Sequence, residues 1–334
     1  MVIGEEEEIY AEKLASYIRC KESGDIQVSW YVDKETLLLH RSGKDAEIFL
    51  LGNEFCEEEF ISRLLDTSDL RIPVLLTQDC LDKKLGRYPS IPKYQPAKEI
   101  VRQIYCIASE LLEDETIWTG SKKQIKGIFA PWNDELSMLF SLTMAQVFAE
   151  EQKVVCISQQ ECYGIKQIVE DYTGMNLSDA VSILRKQSKN PGAFLKSMLL
   201  KTGKADYLPP AENPQNLYEL TEEDYRKLMN ALEEQLDHEL ILWEAGTLNP
   251  GLILWIEKSQ VVYCPYQEEV FLEERKRQLT HIFQLYEKPE LFEKLHFVHM
   301  PHMSFSGNAD IRAEQLPWSE LGIFLREQVI KHGI

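Results

Sequence analysis

Residues 127–158 read GIFAPWNDELSMLFSLTMAQVFAEEQKVVCIS, and this stretch determines the expected fold of the C-terminal part of the chain. Two short apolar runs enclose a turn and a longer segment with helical spacing. The pattern predicts a strand, a turn, an amphipathic helix and a second strand. That order is typical of α/β domains built on a parallel sheet.

The stretch resembles the opening of P-loop domains of the MinD/ParA kind, whose loop reads Gly-Gly-x-Gly-Lys-Thr. Such a loop needs glycines to turn backbone N–H groups around phosphates, a Lys to neutralise them and a hydroxyl to hold Mg²⁺. The aligned positions here form a vestigial nucleotide-binding loop of Asn133, Asp134, Glu135, Leu136, Ser137 and Met138. Ser137 takes the Lys position. Two carboxylates stand where a triphosphate would lie, although they also suit the first turn of a helix.

The same resemblance extends to residues 205–246, where a helix leads to a strand that ends in LILWEAG. The Walker-B-like acidic position falls on Glu244, and the Asp that often precedes this strand falls on Glu239. Where the family carries another Asp, after the second strand, this chain has Ser158 and Gln159. Glu244 is therefore the candidate for ordering a metal or a water, and the alternative is a Glu that is simply solvated at a strand end.

The N-terminal third contains the short apolar strands QVSWYV, AEIFLLG and IPVLLTQ, separated by helical stretches. This arrangement resembles a CheY-like response-regulator receiver domain. The resemblance implies that a phosphoryl acceptor should stand at Gly52, while Thr77 and Lys93 match the Ser/Thr and Lys positions of the family. Without an acceptor carboxylate, phosphoryl transfer has no nucleophile.

The acidic run Glu5–Glu8 lies where a receiver holds Mg²⁺. Four adjacent carboxylates could bind a hard cation. Charge runs near a chain end are usually solvated, and we expect that arrangement here.

An atypical receiver followed by a MinD/ParA-like domain resembles the TadZ/CpaE-like proteins of Flp (Tad) pilus assembly. We therefore predict an α/β fold of two doubly wound, mainly parallel-sheet domains, at residues 1–117 and 118–334. The joint is placed in LLEDETIWTGSKKQIKG, where the composition changes from acidic to basic.

The resemblance implies a localisation or scaffolding factor for a type IVb (Flp/Tad) pilus or a related secretion machinery, and the missing loop Lys and glycines predict that this factor is not an enzyme. Its partners would be proteins of that assembly, in the cytoplasm and recruited to a cell pole or to membrane-associated machinery. No cofactor is expected. The alternative is a divergent ATPase that binds ATP and Mg²⁺ as a positional switch. A homodimer is expected, formed away from the acidic loop because like charges would face each other there.

The composition restricts the kinds of partner that the chain is expected to bind. The formal net charge is −19, which repels phosphate backbones, so nucleic acid is not expected. No run of about 18 apolar residues is present, so membrane insertion is not expected. The seven cysteines include no C-x-x-C pair.

His296, His299 and His302 are spaced for a helix, but the surrounding FVHMP predicts a strand, and we expect no metal.

The C-terminal stretch WSELGIFLREQVIKHGI places Leu321, Phe324, Leu325 and Val329 on one helical face. A membrane-binding tail of the MinD type would be rich in Lys and Arg on its polar face. We expect this stretch to close the second domain by packing on the sheet.

Overall fold

The computed structural model describes residues 1–21, 27–39, 47–66, 71–78, 86–111, 123–132, 134–161, 175–186, 191–267, 270–301 and 312–330. They fall into two compact units, and each unit is built on its own sheet. The predicted joint near residue 117 lies outside the described residues.

The first unit contains a five-stranded parallel sheet. Its strands are β1 (Val2–Gly4), β2 (Ser29–Tyr31), β3 (Glu47–Leu51), β4 (Arg71–Thr77) and β5 (Ser90–Pro92). Its helices are α1 (Glu8–Lys21), α2 (Lys34–Leu38), α3 (Glu58–Leu65) and α4 (Ala97–Leu111), with a short 3-10 helix at Asn53–Phe55. The strand order is β2-β1-β3-β4-β5, and every pairing is parallel. This is the order of doubly wound flavodoxin-like sheets, which receivers share.

Alternation along the buried strands divides this unit into two cores. Leu50 packs with Ile3 and Val74 against α1 and α4. Its neighbours Phe49 and Leu51 point to the other face and pack against α2 and α3. Because both faces are covered, these strands are nearly continuous apolar runs, as the sequence predicts.

The second unit contains a seven-stranded sheet. Its strands are β6 (Gln124–Phe129), β7 (Val154–Gln159), β8 (Leu200–Thr202), β9 (Ala205–Leu208), β10 (Leu240–Ala245), β11 (Val261–Tyr266) and β12 (Leu295–His299). Its helices are α5 (Asp134–Phe148), α6 (Leu177–Arg185), α7 (Pro191–Met198, of which residues 195–198 belong to this unit), α8 (Gln215–Tyr218), α9 (Glu222–Gln235), α10 (Leu252–Lys258), α11 (Leu272–Leu285) and α12 (Glu320–Phe324). Among the described residues, this unit also contains 3-10 helices at Pro289–Lys294 and Ala313–Trp318 and a π-helix at Leu325–Ile330.

The strand order of this sheet is β12-β11-β6-β10-β7-β9-β8. All pairings are parallel except the β8–β9 hairpin at one edge. β10 lies between β6 and β7, so these two consecutive strands do not touch each other. The predicted fold class, two doubly wound and mainly parallel α/β domains, is confirmed by the two sheets.

The helix α5 differs from its prediction. We expected an amphipathic helix, but from Leu136 to Val147 every residue except Met138 is buried. One side of α5 packs on the sheet, and the C-terminal segment covers another side. A helix enclosed in this way carries apolar residues all round.

The C-terminal segment closes the second unit through this helix. Leu321 and Leu325 are buried, and Phe324 is partly buried. Their segment contacts α5 and shares a core cluster with strand residues such as Ile128 and Leu242, which agrees with the prediction that it closes the second domain. The side chain of Val329 lies outside the described part of the chain. Among the described residues, no helix is both long and apolar enough to cross a membrane.

Candidate functional site

The loop between β6 and α5 is the predicted vestigial phosphate site. Its turn contains Pro131 and Trp132, and α5 begins at Asp134. Asn133 and the side chain of Asp134 lie outside the described residues. The side chain of Glu135 is exposed at the start of the helix, where a carboxylate interacts favourably with the helix dipole.

Trp132 fixes this turn against neighbouring strands. Its indole N–H donates to the carbonyl of Pro265 in β11 at 2.9 Å. Its ring lies nearly parallel to that of Phe297 in β12, with 6.2 Å between centroids and 16° between planes. The guanidinium of Arg275 lies 5.8 Å from the ring centroid. Sequence reasoning missed Trp132, although a large aromatic residue directly before the glycine positions was the available signal.

The rest of the loop sequence is part of the core. Leu136 is buried, and the half-buried Met138 packs on the same cluster. Ser137 is 0% exposed. The residue at the Lys position is therefore directed into the domain and away from solvent.

Glu244 lies beneath the start of α5. β10 places it opposite Ile128 of β6 and Ser158 of β7, and it is 0% exposed. The side-chain amide of Gln160 donates to Glu244 Oε1 at 3.0 Å. The alternative of a solvated strand-end Glu is therefore wrong. The reason is that β10 is the central strand and α5 covers its end.

Burial dominates the electrostatics of this carboxyl group. It raises the pKa of Glu244, and hydrogen bonding from Gln160, Ser141, Ser137 and Ser158 only partly opposes that shift. No Lys, Arg or His among the described residues forms an ion pair with it. Neither Glu244 Oε2 nor Ser137 Oγ makes a well-formed hydrogen bond. A protonated carboxyl group in this place would supply the missing donor.

Of the other positions where the resemblance predicts an acid, the fold brings one next to Glu244 and keeps another away from it. Ser158 comes next to Glu244, as parallel strand ends require. Gln159, also buried, accepts a hydrogen bond from the amide of Asn249 at 2.9 Å. Glu239 instead lies at the opposite end of β10, where it accepts from the backbone N–H of Lys153 at 3.1 Å. Glu239 therefore takes no part in this cluster.

Two of the three histidines in the triplet lie in the described part of the chain. His296 and His299 lie on β12, which confirms the predicted strand, and His302 lies outside the described residues. His296 is half-buried, while His299 is exposed beside the ring of Tyr266. In the described part of the chain, no group of three metal-binding side chains is present.

A second polar cluster lies at the carboxyl edge of the first sheet. Lys93 follows β5, and its N–H donates to the carbonyl of Thr77 at the end of β4. The Lys93 ammonium is 3.0 Å from Glu5 and 2.6 Å from Glu7. Glu5 is only 3% exposed. The expectation of solvated carboxylates holds for Glu6, Glu7 and Glu8 but is wrong for Glu5.

Lys93 is a buried cation with anionic partners. Burial alone would lower its pKa, but the hydrogen bonds and charges of Glu7 and Glu5 raise it overall. The hydrogen bond from Lys93 in turn lowers the pKa of Glu7. The ammonium also lies 4.9 Å from the ring centroid of Tyr10, whose hydroxyl donates to the Lys93 carbonyl. The side chain is thus held as an ammonium ion.

Comparison with known proteins yields structural likenesses only. No protein-family model and no curated protein sequence matches the chain. A ParA family ATPase from Chlorobium tepidum TLS is 12% identical, with a TM-score of 0.44 over 53% of this chain and 73% of that one. A plasmid partition protein from Borrelia burgdorferi bound to AMPPNP is 14% identical, with a TM-score of 0.44 over 62% of this chain and 81% of that one.

A third structure, a protein from Corynebacterium diphtheriae, is 14% identical, with a TM-score of 0.37 over 51% of this chain and 70% of that one. With TM-scores below 0.5, the fold assignment depends on the strand orders described above.

Proposed function

We propose that this chain is a non-enzymatic localisation or scaffolding factor, in which a MinD/ParA-like domain has lost its nucleotide chemistry. The burial of Ser137 against Glu244 is the observation that carries the proposal. A P-loop Lys must reach outward to the phosphates, and a Walker-B acid must reach a metal. Here the residues at both positions are 0% exposed and face each other.

The loop chemistry supports the same function. Replacing the Lys by Ser removes a charge-assisted contact to a multiply charged ligand. Glu135 adds an exposed carboxylate at the helix N-terminus, the position that an anion would otherwise take. Trp132, held by Pro265 and Phe297, places a large ring directly before the positions where a phosphate loop uses glycine. Each change disfavours a triphosphate.

The resemblance to TadZ/CpaE-like proteins then specifies the role. The chain would act through contacts with proteins of a Flp/Tad pilus or a related secretion machinery, in the cytoplasm and recruited to a cell pole or to that machinery. The receiver-like first unit, with Gly52 at the acceptor position, would serve as a binding module that phosphorylation does not control.

The alternative, a divergent ATPase that acts as a positional switch, is favoured by one observation. α11 brings Arg275 over Trp132 and Lys276 over Phe297, at 5.8 and 4.7 Å from the ring centroids. Two cations therefore lie close to the degenerate loop. In this alternative they would contact phosphates in place of the missing Lys.

Titration calorimetry of the full chain with Mg·ATP and Mg·ADP distinguishes the two. We expect no binding heat at sub-millimolar nucleotide and no ATPase activity above background. Binding that is lost in Arg275→Ala with Lys276→Ala, but kept in the matched exposed variant Arg277→Ala, would establish the ATPase alternative. Pairwise binding assays with the cytoplasmic proteins of a Flp/Tad pilus test the scaffolding role, and an absence of binding to all of them would refute it.

A further inference from the structure

Glu5 lies where a side chain at position 52 would project. A Cβ atom on Gly52 would be 2.2 Å from Glu5 Oε2 and 2.8 Å from Glu5 Cδ. Atoms in packed proteins do not approach so closely. The carboxylate of Glu5, at the end of β1, therefore fills the space above the end of β3.

The backbone conformation does not require glycine at this position. Gly52 has φ −70° and ψ 171°, values that any residue adopts. The requirement for glycine comes from the space that Glu5 occupies.

Glu5 is not free to move aside. Its Oε1 atom is held by the Lys93 ammonium at 3.0 Å and by the backbone N–H of Glu7 at 3.1 Å. The side chains of Glu5 and Lys93 are 4% and 2% exposed, respectively. Displacing Glu5 would remove one of the two carboxylate partners of the buried Lys93 ammonium and would therefore cost more than turning a surface side chain.

We propose that Glu5 and Gly52 form a matched pair, in which the end of β1 supplies to Lys93 the carboxylate that the end of β3 lacks. This inference rests on the proposed function, because it treats the first unit as receiver-like. The Glu5 carboxylate occupies the space that a side chain at position 52 would enter. The first unit is thereby held in a single state, which a phosphodonor does not change.

A double-mutant cycle in the full chain tests the pairing, with hydrogen exchange of peptides from residues 1–111 as the readout. Gly52→Ala alone is expected to reduce protection of the first sheet roughly five- to hundredfold, from the cost of overpacking a core. In a Glu5→Ala background the added methyl group has room, so Gly52→Ala should then cost little. Glu6→Ala, an exposed neighbour, is the matched control and should change nothing.

Moving the carboxylate from position 5 to position 52 provides a second test of the pairing. Glu5→Ala with Gly52→Asp places an acid on β3 beside Lys93, and we expect it to be better protected than either single variant. If Gly52→Asp alone does not fold, the cycle of Glu5→Ala and Gly52→Ala still tests whether the two positions are coupled.

Additive effects in the alanine cycle, or a fully protected Gly52→Ala variant, would overturn the pairing of Glu5 with Gly52. Those results would leave the proposed function intact. Phosphorylation of the parent protein by a small phosphodonor would instead refute the phosphorylation-independent role of the first unit.

Discussion

Replacing Glu244 by glutamine is expected to stabilise the second unit increasingly as the pH rises. Glutamine keeps the size of the side chain and an oxygen that accepts from Gln160, and it adds N–H donors near the Ser137 hydroxyl, which lacks a well-formed hydrogen bond. The substitution also removes the titratable carboxyl group, so position 244 no longer binds or releases a proton. In the folded parent protein, burial raises the pKa of Glu244 above its ordinary value of 4.5.

The direction of this pH effect follows from how many protons the folded and unfolded states bind. Between pH 4.5 and the raised pKa, the folded state holds a proton on Glu244 that the unfolded state has released. Stability therefore falls with rising pH by about 1.4 kcal/mol per pH unit across this window. Below pH 4.5 the carboxyl group is neutral in both states, so the parent and Glu244→Gln should have similar stability.

Urea unfolding followed by tryptophan fluorescence measures this difference, because the buried Trp243 and Trp255 report on the second unit. Midpoints are compared from pH 4 to pH 9 for the parent, Glu244→Gln and the exposed control Glu234→Gln. The control should follow the parent at every pH. If Glu244→Gln follows it as well, or is the less stable protein at high pH, then Glu244 is not held as a neutral acid.

Four further predictions concern other contacts. Arg185 donates through Nε and Nη2 to both oxygens of the buried Asp224 at 2.8 Å, so Arg185→Gln should cost roughly 1–2 kcal/mol in urea unfolding. Because Arg185 first and then Thr221 hold the pKa of Asp224 well below 3.8, this difference should be present above about pH 4 and shrink as the pH falls. Burial lowers the pKa of Lys123 to about 8, so the parent should gain stability relative to Lys123→Met between pH 8 and 10.5, and parallel pH profiles would contradict this. Acetyl phosphate should leave the intact mass unchanged, and one added phosphoryl group on an acidic residue near Gly52, such as Glu54, would show a re-sited acceptor. Light scattering should show that any homodimer survives Glu135→Lys, since a dimer through the loop would change its affinity when that charge is reversed.

The order of strands and helices could be predicted from the sequence because the apolar runs are separate and short. QVSWYV, AEIFLLG and IPVLLTQ correspond to β2, β3 and β4, and VVCIS corresponds to β7. Ser137 and Glu244 could also be placed at the two decisive positions. Their mutual burial could not, because it depends on α5 and β10 packing together across about a hundred residues of chain.

The burial of Glu5 likewise could not be predicted from the sequence. In the sequence it is one of four identical residues in a row, and nothing local distinguishes it from Glu6. Its burial depends on Lys93 and on the absent side chain of Gly52, which only the assembled sheet brings together. Similarly, α5 carries apolar residues on all sides because the C-terminal segment packs on it. The sequence of the helix does not show which segment of the chain packs there.

The position of β10 between β6 and β7 affects how the chain folds during synthesis. The first sheet is complete once Pro92 has left the ribosome. β6 and β7, however, must wait for β10 across the 80 residues between Gln159 and Leu240. At ~5–20 residues per second, that interval lasts ~4–16 s. During it two apolar strand edges lack their partner, so chaperone binding to the nascent chain should be strongest before residue 245 emerges.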